Sequence, residues 1–187
     1  MSEGEIIIAC WCIFFLVWFV ASFGAKATVE TQSAAATLAQ RLPVGLGWWL
    51  LLFPHFPGEF NRQILPRTEA LEIAGAVVCV CGLWFTLWAR FTLAGNWSSD
   101  VTFKRDHELV RRGPYRFVRH PIYTGLLVMF AGTTMYIGQL RCFIGLPLVA
   151  LGFWIKLSQE ERMMERHFPE AYPVYRREVK ALIPFVL

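Results

Sequence analysis

The chain has 187 residues, of which 56% are hydrophobic and only 17% charged, with a formal net charge of +4. A soluble domain carries about 25% charge, and the apolar residues here gather in long blocks instead of thin stripes. Composition therefore excludes an ordinary water-soluble fold and predicts a polytopic membrane protein of one or at most two domains.

Ile6 to Ala25 runs for 20 residues without a charge, enough helix to cross a hydrocarbon core of about 30 Å. Its leader, Met1-Ser2-Glu3-Gly4-Glu5, is acidic where a secretory signal is basic, so a permanent span is expected, with Trp11 and Trp18 as interfacial anchors. Residues 26–41 look like an amphipathic linker or short interfacial helix. Leu42 to Pro57 predicts a second span, short and interrupted by proline. A loop with Pro57, Gly58 and Pro66 follows. Ala70 to Ala89 predicts a third span, with Glu72 near its start. Ile122 to Leu140 and Cys142 to Ile155 predict a fourth and a fifth, the last lengthened by a snorkelling Lys156. The expected fold is all-α, a membrane bundle of about five transmembrane helices. It divides into a scaffold of three spans (1–89) and a C-terminal half (90–187) of connecting loop, two-span hairpin and amphipathic tail.

Charge orients this bundle. With five spans, fifteen of the eighteen Lys and Arg fall on one face, in segments 26–41, 90–120 and 156–187. The positive-inside rule places that face in the cytoplasm. The five cysteines, Cys10, Cys12, Cys79, Cys81 and Cys142, lie inside predicted spans as small packing residues, and no Cys/His spacing resembles a zinc site; no metal is expected. The basic stretch 104–116 suits anionic lipid headgroups. It lacks the interleaved aromatics of a nucleic-acid site, so the bilayer is the expected partner and nucleic acid is not. His55 reads as a packing residue and His167 as a solvated one. Asn96-Trp97-Ser98, a formal sequon on the cytoplasmic face, reads as a turn.

The chemistry concentrates at one depth. The last two spans form a hairpin turning near residue 139 or 140. Residues equidistant from the turn share a level, so Arg119 and His120 should meet Gln159, Glu160 and Glu161 at the cytoplasmic rim. Pro121 is suited to the first helical position, which puts Arg119 and His120 at a helix N-terminus, a place for an anion. Arg119 adds a forked donor for a carboxylate or phosphate. Glu160 and Glu161 could bind an ammonium, stabilise a sulfonium or act as a base. Adjacent residues on a helix diverge, so the two glutamates are not expected to face one ligand squarely. A rim bearing both signs of charge suits a zwitterion.

The run from Asp106 to Gly125, DHELVRRGPYRFVRHPIYTG, resembles the core motif of the isoprenylcysteine carboxyl methyltransferase family, H-x-L-V-x-x-G-x-Y-x-x-x-R-H-P-x-Y followed by a hairpin and a Glu-Glu pair. Here Glu160-Glu161 stand as the pair. Gly95-Asn96-Trp97-Ser98 is similar to an upstream family element, and Phe168, Tyr172 and Tyr175 to a downstream F-x-x-x-Y-x-x-Y pattern. The resemblance covers about residues 84–185. It implies a small helical membrane enzyme that uses S-adenosylmethionine. By that likeness His107, Leu109, Tyr115, Arg119, His120, Tyr123, Glu160 and Glu161 line the cofactor or its transfer tunnel, with Arg119 and Glu160 catalytic. It also implies a lipophilic or prenylated acceptor, such as an isoprenylcysteine-like carboxylate, entering from the bilayer. Arg119 could orient either the acceptor carboxylate or the cofactor's.

Two alternatives remain open on sequence alone. A phospholipid amine or small thiol could replace the carboxylate and would need a base. An NADPH-dependent reductase related to sterol reductases shares an Arg-His-x-x-Tyr element; the Pro after Arg-His and the Glu-Glu pair favour the methyltransferase. The short chain without a retention signal suggests a prokaryotic inner membrane, with the site facing the cytoplasm.

Overall fold

A computed structural model describes residues 1–23, 28–94, 97, 102–104 and 108–186. Five long helices run alternately up and down: α1 (Glu3–Ser22), α2 (Ala34–Leu52), α3 (Glu69–Leu93), α4 (Pro121–Ile137) and α5 (Leu140–His167). A short α6 (Ala171–Glu178) follows on the same end as the start of α4. Three of these, α1, α3 and α5, are long and apolar enough to cross a membrane, and α4 is apolar but shorter. An addition to the expected helical architecture is a two-stranded antiparallel ribbon, β1 (Thr28–Thr31) with β2 (Thr102–Lys104), Thr31 opposite Thr102.

Local chemistry sets the helix ends. Ser2 and Glu5 form a reciprocal capping box at α1: the Glu5 N–H donates to Ser2 Oγ (3.3 Å) and the Ser2 N–H to Glu5 Oε2 (2.8 Å). Ser33 caps α2 through the Ala36 N–H, and Thr68 caps α3 through the Leu71 N–H. Gly138 closes α4 at φ 66°, the left-handed conformation a glycine tolerates.

The second helix differs from expectation. It spans 34–52, not 42–57, and so takes in much of the segment read as an amphipathic linker or short interfacial helix. Ser33 starts it early, the run Ala34-Ala35-Ala36 favours helix, and Pro43 lies inside without ending it. Its C-terminal carbonyls, of Leu50 and Leu51, accept from the buried Arg141 guanidinium at 2.7 and 2.9 Å. Arg90, also buried, does the same for the ends of α1 and α3, donating to Ala21 O and Ala94 O, each at 2.8 Å. Both arginines satisfy carbonyls that a helix end leaves without partners.

Helix α3 packs along α4 and α2 along α5 through glycine contacts. A Cβ on Gly125 would lie 2.1 Å from Thr86 Oγ1, one on Gly132 2.5 Å from Gly75 O, and one on Gly47 2.6 Å from Gly145 O. Such close approach is how helices associate where lipid removes the hydrophobic driving force. Trp11 is not an interfacial anchor. It is buried and donates its indole N–H to Thr133 Oγ1 at 3.1 Å. With Phe14, Trp48 and Phe130 it forms an interior aromatic cluster. One polar partner on a neighbouring helix suffices to bring an indole inside.

Candidate active site

The start of α4 and the C-terminal half of α5 carry the polar centre. Pro121 opens α4 and Gly138 closes it, and Gln139 leads directly into α5. This tight turn sets the register between the two helices, and Arg119, His120 and Tyr123 face Glu160 and Glu161. Tyr123 Oη donates to Glu160 Oε1 at 2.6 Å. His120 stands between the carboxylates, Nδ1 3.5 Å from Glu160 Oε2 and Nε2 3.1 Å from Glu161 Oε1. Arg119 donates Nε–H and Nη2–H to Glu161 Oε1 at 2.8 and 2.6 Å. The chain Tyr123–Glu160–His120–Glu161–Arg119 is continuous. The adjacent glutamates do diverge, and His120 spans the divergence by using both ring nitrogens.

An aromatic wall supports the network. The rings of His120 and Tyr123 stack at 5.7 Å, and Tyr123 stacks on Phe153 at 5.0 Å. Lys156 Nζ lies 5.5 Å from the centre of the Tyr123 ring. Tyr115 is buried on a 3-10 turn (Gly113–Arg116), where its carbonyl accepts from Tyr175 Oη at 2.6 Å. Burial pushes the phenols of Tyr115, Tyr172 and Tyr175 well above their ordinary range. Burial pulls His120 down, but its hydrogen bonds to Glu160 and Glu161 and their charges outweigh that, and its pKa is raised.

The C-terminal tail completes the site. After α6, the chain crosses beneath α4 and offers carbonyls to it. The Arg119 N–H donates to Lys180 O at 2.8 Å and the His120 N–H to Ala181 O at 3.0 Å. Thr124 Oγ1 donates to Leu182 O at 2.8 Å, and Arg119 Nη1 to Val179 O and to Arg176 O. The N–H groups of Arg119 and His120 therefore do not await an external anion, because the tail satisfies them. The negative group at this end of α4 is the protein's own Glu161. Arg176, a further participant with no motif to announce it, places Nε 3.4 Å from Glu161 Oε2 and bonds Glu165.

Of the residues singled out by sequence, Tyr115, Arg119, His120, Tyr123, Glu160 and Glu161 gather here. Leu109, apolar and half-buried, takes no part in the polar network. His107 lies outside the described residues, as does most of the Gly95–Ser98 element. His167 is not simply solvated: its Nε2 is 2.7 Å from Glu30 Oε2, beside an Arg166–Glu30 pair at 2.9 Å, tying β1 to the end of α5. Thr124, Phe153, Lys156 and Arg176 were missed. Phe153 and Lys156 lie four to seven residues before Glu160 on one helix, a spacing that could have flagged them.

Residues 71–171 match the model of the phospholipid methyltransferase family. A protein-S-isoprenylcysteine O-methyltransferase of Schizosaccharomyces pombe is 36% identical, covering 73% of this chain and 56% of that protein. One from Tribolium castaneum is 29% identical, covering 70% of this chain and 46% of its own. A solved eukaryotic intramembrane Ras methyltransferase, isoprenylcysteine carboxyl methyltransferase, has the same fold (TM-score 0.53, 24% identity, covering 84% of this chain and 55% of that one). The chain thus spans about half the length of the relatives it matches. These relatives are eukaryotic, so the prokaryotic inner membrane expected from the sequence finds no support among them; what stands is an integral membrane protein.

Proposed function

The chain belongs to the phospholipid methyltransferase family, and on that premise we propose that it transfers the methyl group of S-adenosylmethionine to the carboxylate of a lipophilic, isoprenylcysteine-like acceptor. The observation that carries this reading is the buried chain Tyr123–Glu160–His120–Glu161–Arg119 at the rim of α4 and α5. The donor set suits the cofactor. Glu160 offers a carboxylate for a cationic centre, and the stacked His120, Tyr123 and Phe153 offer aromatic surface.

When bound, S-adenosylmethionine supplies an electrophilic methyl on a positively charged sulfur. The residues of this chain supply position and field. Arg119, fixed by Glu161 and by tail carbonyls, holds a positive charge at the rim in one orientation. It acts by fixing Glu161 and by favouring a nearby acceptor carboxylate. Glu160, oriented by Tyr123 and His120, sets negative potential where positive charge must rest. The aromatic wall excludes water.

His120 reaches both carboxylates, and its hydrogen bonds to them and their charges raise its pKa against the pull of burial. An amine or thiol acceptor must lose a proton to react, whereas a carboxylate need not. The isoprenylcysteine O-methyltransferases among its relatives favour the carboxylate over a phospholipid amine or small thiol, and the family match favours methyl transfer over NADPH-dependent reduction.

The test is calorimetric binding of S-adenosylhomocysteine to purified protein, with Arg119→Ala and Glu160→Gln alongside. Binding that both variants lose supports the site. Labelled methyl transfer to a farnesylcysteine analogue, against an ethanolamine phospholipid, then identifies the acceptor. Folded protein that binds NADPH and not S-adenosylhomocysteine would overturn the reading. The positive-inside rule supports a basic rim that faces the cytoplasm.

A further inference from the structure

Against the Arg119–Glu161 pair, and lined in part by it, lies a cavity of ≈ 430 Å³ between α5, α6 and the C-terminal tail. One end is charged, lined by Arg119, Arg162, Arg176 and Lys180 with Glu161 and Glu165. The other is apolar, lined by Trp154, Leu157 and Val186. Arg119 is matched by Glu161 and Arg176 by Glu165. Arg162 bonds only a helix carbonyl, Ser158 O, and neither it nor Lys180 has a carboxylate partner among the described residues. The cavity thus keeps two uncompensated positive charges above an apolar floor.

That floor is open to the surroundings. Trp154 is 44% exposed and Val186 71% exposed, and Phe185 beside it is exposed as well. Tryptophan with exposed aliphatic and aromatic groups marks the level where headgroups meet chains. Arg162 lies further along α5 towards its C-terminal end, and Arg176 and Lys180 come from α6 and the tail beyond it.

We propose that this cavity binds an anionic phospholipid of the surrounding leaflet, its phosphate between Arg162, Arg176 and Lys180 and one acyl chain along Trp154, Leu157 and Val186. The match is one of charge and of polarity gradient: two spare cations at headgroup depth and an apolar track leading away from them. The inference does not depend on methyl transfer. Because Arg176 also reaches Glu161, a lipid here sits one residue from the candidate active site.

The experiment is native mass spectrometry of the full chain in detergent, titrated with phosphatidylglycerol or with phosphatidylcholine of identical chains. Wild type should retain the anionic lipid preferentially. Arg162→Gln/Lys180→Gln, shown folded by an unchanged thermal melt, should hold it on the order of tenfold more weakly. Equal retention of the two lipids by wild type overturns the proposal, as does unchanged affinity in the variant. Displacement by millimolar inorganic phosphate would assign the cations to a soluble anion, and displacement by S-adenosylhomocysteine would assign the cavity to the cofactor; either result overturns it.

Discussion

Arg119 gives two N–H groups to a single oxygen of Glu161, at 2.8 and 2.6 Å, with the two side chains only 8% and 7% exposed. A pair this buried depends on mutual neutralisation, since each charge alone would be stranded away from water. Arg119→Met or Glu161→Leu alone should cost about 3–5 kcal/mol. The double variant should lose clearly less than the sum. Thermal denaturation in detergent across the double-mutant cycle measures this; additive losses would show that the two residues act independently.

The histidine between the glutamates should make stability depend on pH in a set direction. His120 has its pKa raised by Glu160 and Glu161 against the opposing pull of burial. Below the ordinary histidine value of about 6.5 it is protonated whether folded or unfolded, and its contribution is fully present. As pH rises through the folded pKa, that contribution is lost. The melting temperature of wild type should therefore fall as pH is raised from about 6 into the alkaline range. His120→Gln should show a flatter profile over the same interval.

Two glycines of α2, two residues apart and so on roughly opposite faces of the helix, should respond oppositely to the same change. A Cβ on Gly47 would lie 2.6 Å from Gly145 O and from Val149 Cγ2, whereas nothing lies within 4 Å of one on Gly45. Gly47→Ala forces α2 from α5 and should cost about 1–3 kcal/mol. Gly45→Ala should be neutral or stabilise by up to about 1 kcal/mol, because alanine favours helix. Comparing their melting temperatures decides whether α2 and α5 approach this closely.

Thr124 should act as a clamp on the tail. Its hydroxyl donates to Leu182 O at 2.8 Å, next to the His120 N–H bond to Ala181 O. Thr124→Val keeps the shape and loses the bond, which should cost about 1 kcal/mol. Faster amide exchange of Arg119 and His120 would report the tail loosening, and unchanged exchange would show that it is held elsewhere.

Much of this protein was legible in its sequence. The apolar blocks fixed three of the five long helices to within a few residues and the start of α5, which runs on to His167 through its charged stretch, because a helix is the way a continuous chain satisfies its own backbone in lipid. Length did the rest for the site: with Pro121 starting one helix and Gly138 ending it, counting from the turn was enough to bring Arg119 and His120 opposite Glu160 and Glu161. What sequence could not assign was partnership. Arg119 reads as a hand held out for a ligand, yet in the fold it grips Glu161 and the carbonyls of Val179 and Arg176. Trp11 reads as an interfacial anchor, yet it finds Thr133 and goes inside. Ser33 moved the second helix eight residues earlier than its apolar block begins. Hydropathy and spacing act along one chain and are written in it. Which donor meets which acceptor depends on helices brought together by glycines far apart in sequence, and on a tail that returns beneath them, and only the tertiary structure decides that.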